Sequence, residues 1–317
     1  MLLKKKAPLL FLIFLTLFNS IFYFACRPAA RWHDLSLLFF DTICDLKIYG
    51  TEEEFTFAVN TVRDIFTQTE NLFSPAARDY SSEEVRQLFR LARKIYLDSE
   101  GAFDLTVGIL TEIWGFRSKS YRVPQKEEIK GALKFVGLEK IVEKDNQLVV
   151  PEGVIIDWGG LAKGWALDQA FQALQKEGIS RGFINAGGDL ICFGKNPDNQ
   201  AWKIGIKHPR ESGFLGVLEI SDLAVATSGD YQRYFEIKGI RYHHIFDPRT
   251  GFPARGKQSV TVIGPEAAIC DALATALFVL NDASKLLSLY PDYGAIIVDD
   301  QGSLSFAGKT FPFTPLK

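Results

Sequence analysis

His243 and His244 are adjacent, make up half of the chain's four histidines, and run straight into Asp247-Pro248-Arg249-Thr250-Gly251. That segment is a turn by composition, because proline presets φ and glycine supplies a dihedral other residues avoid. A turn accounts for Asp247 through Gly251 but leaves the histidines unexplained. Imidazole is the side chain best placed to exchange a proton near neutral pH, so the chemistry on offer is general-base catalysis. On a strand the two rings point to opposite sides, and at most one enters a site. The bland alternative is one exposed ring and one packed ring.

A second pair sits in the apolar segment Cys270 to Leu280, where Asp271 and Thr275 are the polar exceptions. Their i, i+4 spacing on a helix puts both oxygens on one face. A carboxylate is rarely buried without a partner. A carboxylate and a hydroxyl on one buried face suit a hard cation such as Mg²⁺. In the competing reading Asp271 caps the helix start and Thr275 is merely packed.

Three further stretches gather glycine and polar groups. In Asp157-Trp158-Gly159-Gly160-Leu161-Ala162-Lys163-Gly164 an acid ends a strand, glycines follow, and a helix opens with Lys163 in its first turn. A helix N-terminus offers free N–H groups to an anion, and a lysine adds a point charge for phosphate. A tight strand-to-helix turn explains the same residues without a ligand. Gly187-Gly188, between Asn185 and Asp189, interrupts apolar strand sequence and suggests a bulge or a close ligand approach. Thr227, Ser228 and Asp230 cluster at what reads as a turn into an aromatic strand.

The elements that must position these residues follow from periodicity. Strands are expected over 41–49, 182–193, 202–208, 216–220, 234–246, 259–263 and 294–299, with a hairpin over 147–157. Helices are expected over 53–69, from the Ser81-Ser82-Glu83-Glu84 cap through Ile95, and over 161–176 and 267–280; a short one belongs to the polar stretch 121–130. Strands arrive mostly in runs without intervening helices, which gives an α+β architecture with largely antiparallel sheets flanked by helices. There is no internal repeat. Hydrophobic residues make up 47 % of 317, enough for a sizeable core, and the net charge of −2 gives no argument for nucleic acid.

The first residues stand apart. Lys4, Lys5 and Lys6 precede an apolar run from Ala7 to Phe24, closed by Ala25-Cys26. This is the pattern of a secretory signal, and Cys26 behind a small residue suggests lipidation. Residues 1–26 are therefore expected to be a lipoprotein signal, 27–39 a linker and 40–317 one domain, tethered to a membrane outside the cytoplasm. Cys44, Cys192 and Cys270 sit in apolar contexts and read as buried free thiols.

Taken in order, the segments Phe40-Asp41-Thr42, Gly101-Ala102-Phe103-Asp104, Asp157 to Gly164, Asn185 to Asp189, Thr227 to Tyr231, His244 to Gly251 and Asp271 to Thr275 resemble the ApbE-type flavin transferases from about residue 40 to the end. The resemblance implies an α+β fold related to the T-fold. It also implies an Mg²⁺-dependent reaction that splits FAD at its pyrophosphate and passes FMN to a serine or threonine of an acceptor flavoprotein, releasing AMP. Some members hydrolyse FAD to FMN and AMP instead, and bacterial members are commonly lipoproteins outside the cytoplasm. By the same resemblance, Asp271, Thr275 and the carbonyl of Ala162 bind metal. Asp157, Lys163, Gly187, Gly188 and Asp189 hold the nucleotide, Ser228 and Asp230 line the flavin side, and His244 is the base. The chain departs from the family pattern after Ser74. Pro75-Ala76-Ala77-Arg78-Asp79-Tyr80 is short and carries no asparagine, which keeps an FAD pyrophosphatase and a flavin-binding lipoprotein without turnover as alternatives.

Overall fold

The computed structural model describes residues 29–74, 77 and 79–316. Eight strands form one sheet in the order β1 (Arg31–Phe39), β2 (Thr42–Gly50), β5 (Gly182–Ala186), β6 (Asp189–Phe193), β9 (Leu223–Gly229), β12 (Lys257–Gly264), β13 (Gly294–Asp299) and β14 (Leu304–Gly308). Every neighbouring pair is antiparallel. A smaller antiparallel sheet orders β15 (Phe313–Pro315), β8 (Phe214–Ile220) and β7 (Trp202–Lys207). Short hairpins pair β3 (Val142–Lys144) with β4 (Gln147–Val149), and β10 (Tyr234–Ile237) with β11 (Ile240–His243). The α+β reading with antiparallel sheets holds.

The large sheet is covered on both faces, and β6 shows how its sequence achieves this. Leu190 and Cys192 face the small sheet, among Trp202, Ile206, Leu218 and Ile220. Ile191 and Phe193 face the helices. A strand covered on both sides reads as an unbroken apolar run, which is what Leu190-Ile191-Cys192-Phe193 is. The helical layer contains α1 (Glu52–Phe73), α2 (Glu83–Asp98), α5 (Ala162–Lys176) and α6 (Ala267–Val279). Thr51 and Glu54 exchange side-chain and backbone hydrogen bonds at the start of α1, and the Ser82 hydroxyl caps α2.

A separate, smaller core is built by α3 (Gly108–Ile113), α4 (Lys126–Ala132) and the β10–β11 hairpin around Trp114, Phe116, Ile129 and Phe246. The last helix is α7 (Ser284–Ser288). No described helix is long and apolar enough to cross a membrane. The signal expected over 1–26, with Cys26, lies outside the described residues.

The structure corrects several expectations. Residues 31–39, expected as linker, are edge strand β1, paired along its length with β2. Its half-buried, mixed sequence gave no clear period. The strand expected over 182–193 is two strands: Gly187 and Gly188 take φ of +67° and +106° and turn the chain between Ala186 and Asp189. The pair is thus a two-residue hairpin turn, not a bulge. Lys238 (φ +52°) and Gly239 (φ +74°) divide 234–246 in the same way. The hairpin expected over 147–157 lies earlier, turning at Asp145 and Asn146. Thr227 and Ser228 lie on strand β9 rather than in a turn. The thiols of Cys44, Cys192 and Cys270 are free and buried as expected. Burial pushes Cys44 up to about 11 and Cys192 up to about 12, which keeps them protonated and inert.

Candidate active site

The turn into α5 is organised by Asp157. Its carboxylate accepts from the Thr111 hydroxyl at 3.0 Å and from the Gly159 N–H at 2.9 Å, while its own N–H donates to the Leu105 carbonyl at 2.7 Å. This fixes the Gly159-Gly160 loop against α6. A Cβ on Gly160 would come within 3.1 Å of the Thr275 hydroxyl. Ala162 opens α5 and is buried.

Lys163, one residue on, reaches across to two acids. Its Nζ lies 2.8 Å from Asp189 and 3.5 Å from Asp271. Burial alone would pull its ammonium down, but the two carboxylates outweigh that and hold it well above the usual lysine range. Asp271 is 5 % exposed. Burial raises its carboxyl, against the pull of Lys163, and the Gly164 N–H donates to it at 3.4 Å. One helical turn along, the Thr275 hydroxyl is 3.1 Å from that of Ser228. Asp189 also accepts from the Thr227 N–H at 3.0 Å. Asp271, Thr275, Lys163, Asp189, Ser228 and the 159–162 turn are therefore one cluster, assembled from α5, α6, β6 and β9.

Strand periodicity explains why β9 supplies only one hydroxyl. The Thr227 hydroxyl meets that of Thr261 across the sheet at 2.8 Å, on the opposite face from Ser228. Asp230, just past the strand, is gripped by both terminal nitrogens of Arg210 at 2.7 and 2.6 Å, with Arg241 at 3.5 Å. Sequence reading did not single out Arg210 or Arg241. Neither lies in a recognisable motif, and their partnership spans 20 and 11 residues. Gly188 has open space around it, whereas Gly187 abuts the side chain of Thr42.

The two histidines differ by what their nitrogens touch. The His243 ring is buried. Its Nε2 is 2.8 Å from the Ala254 carbonyl, and its Nδ1 accepts from the Ile245 N–H at 3.2 Å. A carbonyl only accepts, so Nε2 carries the proton and both nitrogens are used. His244 is half-buried near the ring of Phe116. Its Nδ1 lies 3.2 Å from the Arg233 carbonyl, so that nitrogen carries the proton. The Nε2 lone pair is then free, with no hydrogen-bonding partner among the described residues. Burial holds His243 down at about 4. Burial, then the charge of Arg233, holds His244 down at about 3, with Lys163 close enough to contribute.

Among the described residues, no three or more His, Cys, Asp and Glu side chains gather to hold a metal. The expected set needs only one carboxylate. Asp271 and Thr275, with the Ser228 hydroxyl beside them, form an all-oxygen donor set, and a cationic group already rests there in Lys163. That chemistry fits a hard cation.

The antiparallel α+β fold thus carries an oxygen-lined cluster around Lys163 and one imidazole nitrogen left free. The sequence model of the ApbE family matches residues 40–297, and the chain belongs to that family. It is 38 % identical to the FAD:protein FMN transferase of Vibrio cholerae over 226 residues, covering 68 % of this chain and 67 % of the relative. It is 33 % identical to the enzyme of the same name from Haemophilus influenzae, covering 62 % and 60 %. The matched segments thus span about three-fifths to two-thirds of these relatives. The crystal structure of the ApbE protein from Thermotoga maritima superposes with a TM-score of 0.81 at 34 % identity, over 87 % of this chain and 97 % of that one.

Proposed function

We propose that this chain is an Mg²⁺-dependent FAD:protein FMN transferase. The observation that carries the reading is the free Nε2 of His244 within electrostatic reach of the Lys163–Asp271–Thr275 cluster, in a chain of the ApbE family. The acceptor's serine or threonine oxygen attacks the phosphorus on the FMN side of the pyrophosphate. The P–O bond to the bridging oxygen breaks, and that oxygen leaves with AMP. His244 Nε2 takes the hydroxyl proton. Asp271, Thr275 and the Ala162 carbonyl would hold Mg²⁺, which supplies charge neutralisation and Lewis acidity.

The chain's own residues do the rest. Lys163 and the start of α5 bind phosphate. Gly187 and Gly188 carry the β5–β6 turn past the nucleotide, with Asp189 and Asp157 nearby. Ser228 and Asp230 border the flavin side, with Asp230 held still by Arg210. A bound pyrophosphate brings negative charge, which raises His244 toward the range where a base can take and return a proton. The short segment after Ser74, without an asparagine, supports a second reading in which water replaces the acceptor and FAD is hydrolysed. Chromatography of the nucleotides separates the two: AMP and FMN released without acceptor favour hydrolysis, and AMP released only with acceptor favours transfer. Unchanged FAD in both would leave a binding protein. Residues 1–26 act as a lipoprotein signal that tethers the domain outside the cytoplasm through Cys26. Equal acyl labelling of wild type and Cys26→Ala would remove that assignment.

A further inference from the structure

Helix α6 is buried nearly all round. Of its 13 residues only Ile269 and Thr275 fall outside the buried set. Apolar burial is non-directional, so beyond Asp271 and Thr275 themselves the sequence of the helix has little to fix its rotation. Rotation is nevertheless what the site needs. A slip of one residue turns a helix by about 100° and slides it about 1.5 Å, which would carry Asp271 and Thr275 away from Lys163 and Ser228.

The start of α6 is held from outside. Its own cap residue, Glu266, makes no side-chain cap bond. Instead the Ala267 N–H donates to one oxygen of Asp168 at 2.8 Å and the Ala268 N–H to the other at 2.9 Å. Asp168 belongs to α5 and is 8 % exposed. One turn earlier on the same face of α5 is Gly164. A Cβ there would lie 2.3 Å from the Ala267 carbonyl and 2.6 Å from the Ala268 Cα. Gly164 lets the two helix starts touch, and Asp168 takes two of the N–H groups that a helix start leaves unpaired. From Ala267 the same face continues by single turns to Asp271 and Thr275.

We propose that Asp168 is a positioning residue that sets the rotation and height of α6, so that Asp271 and Thr275 meet the 159–163 turn as one oxygen site. The metal part of this claim rests on the function proposed above. Both parts can be read in the full chain with Asp168→Ala, Asp168→Asn and, as a control, Leu174→Ala, which removes a buried apolar side chain from the same helix. Two quantities are measured: hydrogen exchange across 267–279 in the metal-free protein, and the Mg²⁺ concentration giving half-maximal FAD cleavage.

In Asp168→Ala the first two turns of α6 should exchange faster and half-saturating Mg²⁺ should rise by about 10- to 100-fold, the usual cost of losing an outer-shell partner. Asp168→Asn keeps one acceptor oxygen and should fall between Asp168→Ala and wild type. It also carries the comparison if Asp168→Ala does not fold. Leu174→Ala should lower the melting temperature and move neither quantity. An Asp168→Ala protein that melts earlier but keeps wild-type α6 exchange and Mg²⁺ dependence overturns the proposal. If wild type shows no Mg²⁺-dependent cleavage, the functional reading falls instead. The exchange data alone then decide the positioning claim, and unchanged α6 protection would refute it.

Discussion

On the α5–α6 side of the site, polar groups are held by other polar groups. Lys163 bridges Asp189 and Asp271, Asp168 holds two amides of α6, and Ser228 meets Thr275. On the β10–β11 side, His244 rests on an aromatic core and a single carbonyl. The first region is a charge network whose members fix one another, suited to holding anions and a cation in place. The second keeps one nitrogen unpaired and neutral, as a proton acceptor must be. The two sides rest on different supports, and under the proposed function changes to them should fail in different ways.

The sharpest break is on the histidine side. His244→Ala should lower transfer by about 10²- to 10⁴-fold, the usual contribution of a general base, with little change in melting temperature. His243→Ala should do the opposite. It leaves a cavity and unpaired groups worth about 2–3 kcal/mol of stability while most activity survives. Steady-state rates beside melting curves for both variants test the distinction.

On the network side, Asp271→Ala should raise half-saturating Mg²⁺ by more than the about 10- to 100-fold expected for an outer-shell partner. Thr275→Ala, which removes a neutral oxygen, should be milder and partly rescued by added Mg²⁺. Titration of activity against Mg²⁺ in both variants ranks the ligands. Equal curves for Asp271→Ala and wild type would mean the helix is only core.

A pH series sharpens the comparison further. Folding lowers His243 from 6.5 to about 4, so its neutral form stabilises the fold above pH 6.5. That stability is lost as pH falls from 6.5 toward 4, by on the order of 3 kcal/mol. Asp104 and Asp168, raised by burial to about 6 and about 7, run the other way over the same window. The quantity to measure is therefore the difference between wild type and His243→Gln. The wild-type advantage should shrink as pH falls.

The last test is steric. Gly164→Ala pushes a methyl into the Ala267 carbonyl and the Ala268 Cα, backbone atoms that yield only if α5 and α6 part, and should cost about 3 kcal/mol or more of stability by overpacking, read from the shift in denaturant midpoint.

Much of the network side was legible in the sequence, because i, i+4 spacing on an apolar helix exposes Asp271 and Thr275, and paired glycines mark both turns. The cap that Asp168 provides was not legible. Its partners are backbone amides 99 and 100 residues away, and amides leave no trace in residue type. Arg210 and Arg241 were missed for a related reason: their charge is ordinary, and only the fold brings them to Asp230. Strand β1 was read as linker because an edge strand needs little apolar sequence. On the histidine side, strand alternation allows at most one ring into a site and cannot say which. The hydrogen bond to Ala254 uses the Nε2 of His243, whereas the one to Arg233 leaves the Nε2 of His244 without a partner among the described residues.

The intact mass of an acceptor flavoprotein after incubation with this protein, FAD and Mg²⁺ decides whether FMN is transferred. The acceptor should gain one FMN by phosphoester linkage, AMP should appear in equal amount, and both should be lost with His244→Ala. An acceptor of unchanged mass while FAD is consumed, or transfer undiminished in His244→Ala, would contradict the proposed function.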